Sequence, residues 1–188
     1  MKNLKSIALA LFVAFATVNA TAQTKKVDVS KSNIKWVGKK VTGQHEGIVK
    51  FKEGTLIFQK DKLAGGSFTV DMNSLTATDL SGDYQAQLNG HLKNDDFFAT
   101  DKFSTATLVF KTIAVKKANV YTVTADLTIK GKTNPTTFDL TVAGNKATTT
   151  LKVDRTKYDI KYKSGSFFEN LGDKAIYDDF ELNVALQF

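Results

Sequence analysis

The chain has two histidines, the side chain whose ordinary pKa lies nearest neutral pH. His45 sits in Gly43-Gln44-His45-Glu46-Gly47 and His91 follows Gly90. Together with Glu46, Asp95 or Asp96 they supply metal-ligand types at one end of a fold. Their spacing does not make a site, because neither HExxH nor H-x-H occurs. Histidines bonded to loop backbone are the plainer reading, and no metal or other cofactor is expected. Asp95-Asp96 and Asp178-Asp179 are paired carboxylates, but neighbours on an extended chain point opposite ways. They read as solvated loop charges. Ser164-Gly165-Ser166 lacks the flanks of a nucleophile elbow. No Ser, His and Asp set is placed by spacing, and no glycine-rich phosphate loop exists. No enzyme is therefore expected. Arg155 stands apart as the single arginine among 26 basic residues. A guanidinium offers a planar, always-charged, bidentate fork. Two uses suit it: a buried ion pair tying the 154–158 loop down, or a contact to an anionic or carbonyl head group at an opening.

These residues must be held by strands. Tyr121, Val123, Ala125, Leu127 and Ile129 alternate with Thr122, Thr124, Asp126, Thr128 and Lys130. Period-two alternation buries one set and wets the other. Gly131-Lys132 interrupts the run, and Phe138, Leu140 and Val142 resume it, so 121–142 reads as an antiparallel hairpin. Pro135, the only proline, is expected in the connection before the second strand. A short edge strand is expected at 27–30, and the next carries Ile34 and Trp36. Gly47 beside the run 48–59 and Gly54 within it mark bends that let a sheet curl. Lys60-Asp61 and Gly65-Gly66 read as turns. Phe68 and Val70 face inward on the strand after them. Alternation stops between Met72 and Phe103. There, 84–93 reads as a short helix, and Phe97 and Phe98 behind Asp95-Asp96 read as an inward plug.

Strand pattern resumes with Ala106, Leu108, Phe110 and Thr112 on one face and Thr107, Val109, Lys111 and Ile113 on the other. Apolar residues on both faces point to an outer cover, and Val109 with Ile113 would suit a homodimer. Strands over 147–153 and 180–188 complete the count. About eight antiparallel strands with one helical insertion make an all-β barrel or sandwich. A barrel of about eight strands leaves room for side chains or one small ligand. Trp36, Phe51, Phe58, Phe68, Phe110, Phe138 and Phe180 would line that interior, and pattern alone leaves open whether they fill it or surround a cavity.

Residues 1–22 are read apart from the fold. Lys2 and Lys5 precede an apolar run over 7–18, too short to span a bilayer, and Ala20-Thr21-Ala22 offers a small-x-small cleavage site. This is a signal peptide, with the mature domain at 23–188. Cysteine is absent, so the exported chain relies on no disulfides, which points to a bacterial envelope. The net charge of +7 is carried by dispersed lysine. A nucleic-acid binder would cluster arginine with exposed aromatics, so no nucleic-acid partner is expected.

Four segments resemble those of one family. Leu127-Thr-Ile-Lys-Gly-Lys-Thr133, with Pro135 and Phe138 after it, resembles the LTIKGxTxPxxF signature of the YceI-like family. His91-Leu92 with Asp96-Phe97-Phe98 resembles its HLxxxDFF segment. Asp154-Arg155-Thr156-Lys157-Tyr158 resembles DRTxYxI, and Gly43-x-His45-x-Gly47 resembles GxHxG. Ser104 stands where the family often has proline, which affects local rigidity alone. The resemblance implies a lipocalin-like antiparallel barrel, exported to the periplasm or secreted, holding a long polyisoprenoid, isoprenoid quinone or fatty-acid derivative in its lumen. Leu127, Leu140, Phe97 and Phe98 would then join the seven aromatic residues around the chain. His45, His91, Arg155 and Tyr158 are candidate head-group contacts, and transient membrane contact is compatible with such a role. Two other classes compete. The terminal alternation ending in Phe188 resembles the last strand of an integral outer-membrane barrel, although lysine on a lipid-facing side costs about 2–4 kcal/mol at the midplane. An enzyme acting on the bound lipid would need an activated nucleophile or base, which spacing does not supply.

Overall fold

The computed structural model describes residues 22–188. The signal-peptide reading therefore falls on residues outside the described ones, except Ala22, which opens the first strand. Nine strands appear: β1 (Ala22–Lys26), β2 (Asn33–Lys40), β3 (Gly43–Gln59), β4 (Lys62–Ala77), β5 (Thr105–Lys117), β6 (Val120–Ile129), β7 (Lys132–Ala143), β8 (Lys146–Asp154) and β9 (Ile176–Gln187). Helix α1 (Gly82–Lys93) lies between β4 and β5. Every pairing between strands is antiparallel, in the order β1-β3-β2-β9-β8-β7-β6-β5-β4, and a further β3–β4 pairing closes the ring.

The ring has eight strand positions because β1 and β2 share one. Both run antiparallel along the same edge of β3, β1 beside Thr55–Gln59 and β2 beside Gly43–Val49. The expected edge strand at 27–30 is instead the break between them. Asp28 accepts hydrogen bonds from Ser30 N at 3.1 Å and Ser30 Oγ at 2.6 Å, and this local turn competes with strand pairing.

The interior is apolar because alternation points one face of every strand inward. Along β6, Tyr121, Val123, Ala125, Leu127 and Ile129 are all buried. On the outer face, Thr124 pairs with Thr137 at 3.2 Å, Thr122 donates to Asp139 at 2.8 Å, and Lys111 lies 3.5 Å from Asp126. The β6–β7 turn is Lys130-Gly131, both at positive φ, the form that matches strand twist.

Several sequence expectations are corrected by long-range pairing. Pro135 lies inside β7, paired with Asp126, and not in the connection. It is tolerated because β8 pairs with β7 only over Thr141–Ala143, so β7 has a free edge at Pro135. Gly65-Gly66 is strand, not turn; Gly66 lies beneath the Phe110 ring, 2.6 Å from its Cε2 to a built Cβ. Strand β4 also continues past Met72 to Ala77, and residues 72–75 bulge between the Asp71–Lys50 and Thr76–Ile48 pairs. A bulge hides alternation, although Met72 and Leu75 are both buried. A second bulge at Lys111 turns Ile113 inward beside Val123, leaving Val109 exposed on the outside, while Val115 is exposed near the end of β5. The outer cover expected over β5 is not present among the described residues, and Ile113 belongs to the core.

The two barrel ends differ. At the lower end Phe58 stacks on Phe188 at 5.6 Å, with Lys25 Nζ 5.0 Å from the Phe58 ring. The upper end gathers the β2–β3 turn, α1 with the segment 94–104, the β6–β7 turn and the long β8–β9 connection. Gly47 is a fixed point beneath it. The Trp36 indole packs over Gly47, so a Cβ there would collide with the Thr76 carbonyl oxygen and lie 2.5 Å from Trp36 Cζ2. Gly47→Ala is expected to cost about 2–3 kcal/mol and lower Tm by roughly 5–10 °C, measured by calorimetry.

Candidate functional site

The barrel encloses an apolar cavity of about 180 Å³. Cavities of this size lined by hydrocarbon stay dry and accept apolar molecules. Its wall includes Trp36, Phe51, Phe68, Phe97, Phe98, Phe110, Leu127, Phe138, Leu140, Phe180 and Arg155. Sequence reasoning missed Met72, Leu75 and Leu92, because the first two sit in the bulge and the third on a weakly patterned helix. The rings form a chain of tilted and edge-on contacts: Phe51 to Phe68 at 6.1 Å, Phe68 to Phe110 at 5.5 Å, and Phe110 to Phe138 edge-on at 6.0 Å.

The upper end is closed by the four motifs, which are distant in sequence. Asn94 N donates back to Gly90 O at 3.1 Å, ending α1 and turning the chain inward. Phe97 then enters the barrel and Phe98 meets Phe180 edge-on at 6.2 Å. Asp95 stays outside, bonded to Lys102 at 2.6 Å, as a plug with wet carboxylates requires. Lys130, from the β6–β7 turn, donates to the Asp95 carbonyl at 2.7 Å and so pins this plug.

Arg155 closes the floor of that end. Asp154 caps the short 3₁₀ turn Arg155–Tyr158 by accepting from Thr156 N at 2.9 Å. Its neighbour's guanidinium donates to the carbonyls of Ile160 at 2.8 Å, Ile176 at 3.0 Å and Tyr177 at 3.1 Å. Asp178 is farther, at 3.5 Å. Burial pushes the arginine pKa down, opposed by the Asp178 and Asp154 charges. The group is thus neither a simple ion pair nor a free head-group contact. It is a cross-link that ties the Ile160 carbonyl, just past the 3₁₀ turn, to the Ile176 and Tyr177 carbonyls at the start of β9, while its guanidinium carbon lies 5.9 Å from the Phe97 ring centre. Burial raises Asp178, but hydrogen bonds from Ser164 and Ser166 and the Arg155 charge outweigh it and hold the carboxyl below the ordinary range. Asp178 and Asp179 lie in β9, Asp179 bonding Lys152 at 2.8 Å, so they are not solvated loop charges.

Four candidate contact residues fall elsewhere. Phe58 is buried at the lower end because β3 runs on beyond the cavity. His45 lies at the start of β3 and bonds Asp79 at 2.8 Å. The His91 ring is wedged between Phe97 at 4.9 Å and Tyr162 at 4.6 Å. Tyr158 is buried beneath the 3₁₀ turn, and burial, helped by the Asp154 charge, pushes its hydroxyl up to about 12. None of the four lines the cavity. Among the described residues no three histidine or carboxylate groups converge as metal ligands. Ser166 Oγ donates to Asp178 at 2.6 Å, with both histidines engaged elsewhere.

A model of the YceI-like domain matches residues 26–188. The chain belongs to the YceI-like family. The crystal structure of Burkholderia cenocepacia BcnA is similar, with a TM-score of 0.70 at 26% identity, covering 85% of this chain and 98% of that one. A polyisoprenoid binding domain from Saccharophagus degradans shares the fold at 16% identity and TM-score 0.56, covering 86% and 95% of the two chains. A Campylobacter jejuni YceI protein does so at 15% identity and TM-score 0.54, covering 100% and 94%. A UPF0312 protein of Staphylococcus aureus (strain USA300) is 46% identical over 56 residues, which is 30% of either chain. The lipocalin-like barrel expected of a YceI-like chain is the fold observed.

Because Arg155 serves carbonyls that only a fork can reach together, Arg155→Lys is expected to lower unfolding free energy by about 2–4 kcal/mol, read by urea titration. A role confined to the head group would change ligand content and leave stability alone.

Proposed function

We propose that this YceI-like protein is an exported carrier that holds a long apolar lipid, a polyisoprenoid, isoprenoid quinone or fatty-acid derivative, in the barrel lumen. The observation that carries this reading is the apolar cavity of about 180 Å³ at the barrel axis, ringed by phenylalanine and reached by the plug at 95–98. The polyisoprenoid binding domain of Saccharophagus degradans supports it through a shared fold. Burying roughly 500 Å² of lipid chain would supply on the order of 12 kcal/mol gross, less the costs of ordering and association. No specific polar contact is required for such affinity, and Arg155, spent on carbonyls, offers little of one.

The outer surface favours a carrier over an integral outer-membrane barrel. Membrane barrels face lipid with apolar side chains, whereas here Lys111, Lys116, Lys152 and a row of threonines point outward and pair with Asp126, Asp139 and Asp179. Among the described residues no helix is long and apolar enough to cross a membrane.

Native mass spectrometry of the mature protein, purified without detergent and then solvent-extracted, is expected to reveal a co-purifying long-chain species. Ala106→Phe, which adds a ring to the cavity wall, is expected to cut that species at least tenfold while the β-sheet circular dichroism persists. A clean apo mass for the wild type would defeat the carrier reading. For location, osmotic shock without detergent is expected to release a protein whose N-terminus is Gln23; retention in the cytoplasmic fraction would contradict export.

A further inference from the structure

We propose that the upper end of the barrel docks onto a zwitterionic phospholipid bilayer, with Phe167 and Phe168 as the inserting side chains. This rests on the carrier reading, since a lumen that loads lipid must meet a lipid phase. The described residues expose four large aromatics, Tyr84, Phe167, Phe168 and Tyr177, and all four lie at the upper end. Tyr84 is in the first turn of α1, the two phenylalanines cap the β8–β9 connection, and Tyr177 opens β9. Val41, in the β2–β3 turn, joins them: its N–H donates to Ala175 O at 3.3 Å. Phe167 and Phe168 are each about half exposed, at 49% and 51%.

The patch is built, not frayed. Phe167 N and Phe168 N both donate to Ser164 O, at 3.1 and 3.0 Å, and Ser164 is fully buried. Ile176 N donates to Lys163 O at 2.9 Å, so the loop is anchored on the first residues of β9. Those residues, Ile176 and Tyr177, also line the cavity. The exposed rings and the lumen are therefore continuous through one strand end.

Charge selects the occupant. Lys161 Nζ lies 4.9 Å from the Phe167 ring and Lys163 Nζ 5.1 Å from the Tyr162 ring. Glu169, Asp173 and Lys174 follow within the same loop, and Asp159 bonds Lys161 at 3.2 Å. Aromatics interleaved with near-balanced charge suit a surface that presents both phosphate and amine, with rings at head-group depth. They do not suit a polyanion, which requires a cationic excess.

The test is flotation of the mature protein with phosphatidylcholine–phosphatidylethanolamine vesicles, beside native mass spectrometry of the same samples. Wild type is expected to float, and F167S/F168S to lose at least tenfold in partition while keeping its co-purified lipid and its Tm. Val109→Ser, on the barrel wall, is expected to float like wild type. A Phe168→Trp variant, which keeps an inserting ring, is expected to float and to show a blue-shifted emission on vesicle addition. Cargo without wild-type flotation would overturn docking and leave the carrier reading standing. Flotation without cargo would support docking and defeat the carrier reading. Equal partition by F167S/F168S, or a concentration-dependent dimer lost in that variant with no vesicle binding, would overturn the proposal in favour of another surface or a second copy.

Discussion

Strand β3 is the constraint on which the rest of the molecule depends. It is 17 residues long and is paired along both edges, with β4 on one side and with β2 and then β1 on the other. That double pairing removes the free edge that an open sheet would present. It also fixes what lies inside. Once the ring is closed, every inward side chain shares one enclosed volume, and only an apolar set is stable there without partners. The bulges of β3 and β4 are the cost of bending one strand far enough to meet both neighbours. Gly47 and Gly66 sit where that bending brings Trp36 and Phe110 down onto bare backbone.

Closing the sheet does not close its ends. At the lower end Phe58 packs against Phe188, two rings contributed by the ends of long strands. The upper end needs more, because four connections converge there and bring backbone carbonyls with them. Lys130 holds the plug through the Asp95 carbonyl, and Arg155 holds the β8–β9 connection through three more. Each cation is used for its reach to several segments. Its charge is secondary, since the nearest carboxylate to Arg155 is farther away than any of the carbonyls. The family motifs are thus best understood as parts of one closure.

That division of labour bears on how such a barrel would work. The wall is laddered along most of its length, the exception being the first part of β7, whose edge is free as far as Thr141. The upper end is a set of short segments joined by side-chain hydrogen bonds to backbone. Local opening draws on such regions, where few buried ladders must break. A lumen whose wall is fixed and whose end is assembled from separable pieces has one route by which a long chain can enter.

The sequence by itself determined most of the strands, most of the inward set and the place of the main turn. Alternation over 121–129 names the buried residues of β6 one by one, because a side chain's face depends only on its parity along a strand. Gly131 marked the hairpin, although the turn is Lys130-Gly131 and not Gly131-Lys132, and Phe97-Phe98 behind two aspartates specified the plug. Tertiary structure alone decided the rest. Whether Ile113 or Thr112 faces the core depends on a bulge forced by β6, and whether 72–77 is strand depends on β3 lying beside it. Pro135 is tolerated in β7 because β8 turns away. The placement of Phe58 outside the cavity follows from the length of β3, and that of His91 from Tyr162, 71 positions later. Arg155 shows the limit most clearly. Its partners are carbonyls of Ile160, Ile176 and Tyr177, and a carbonyl is common to every residue, so no sequence pattern can announce which three a guanidinium will find.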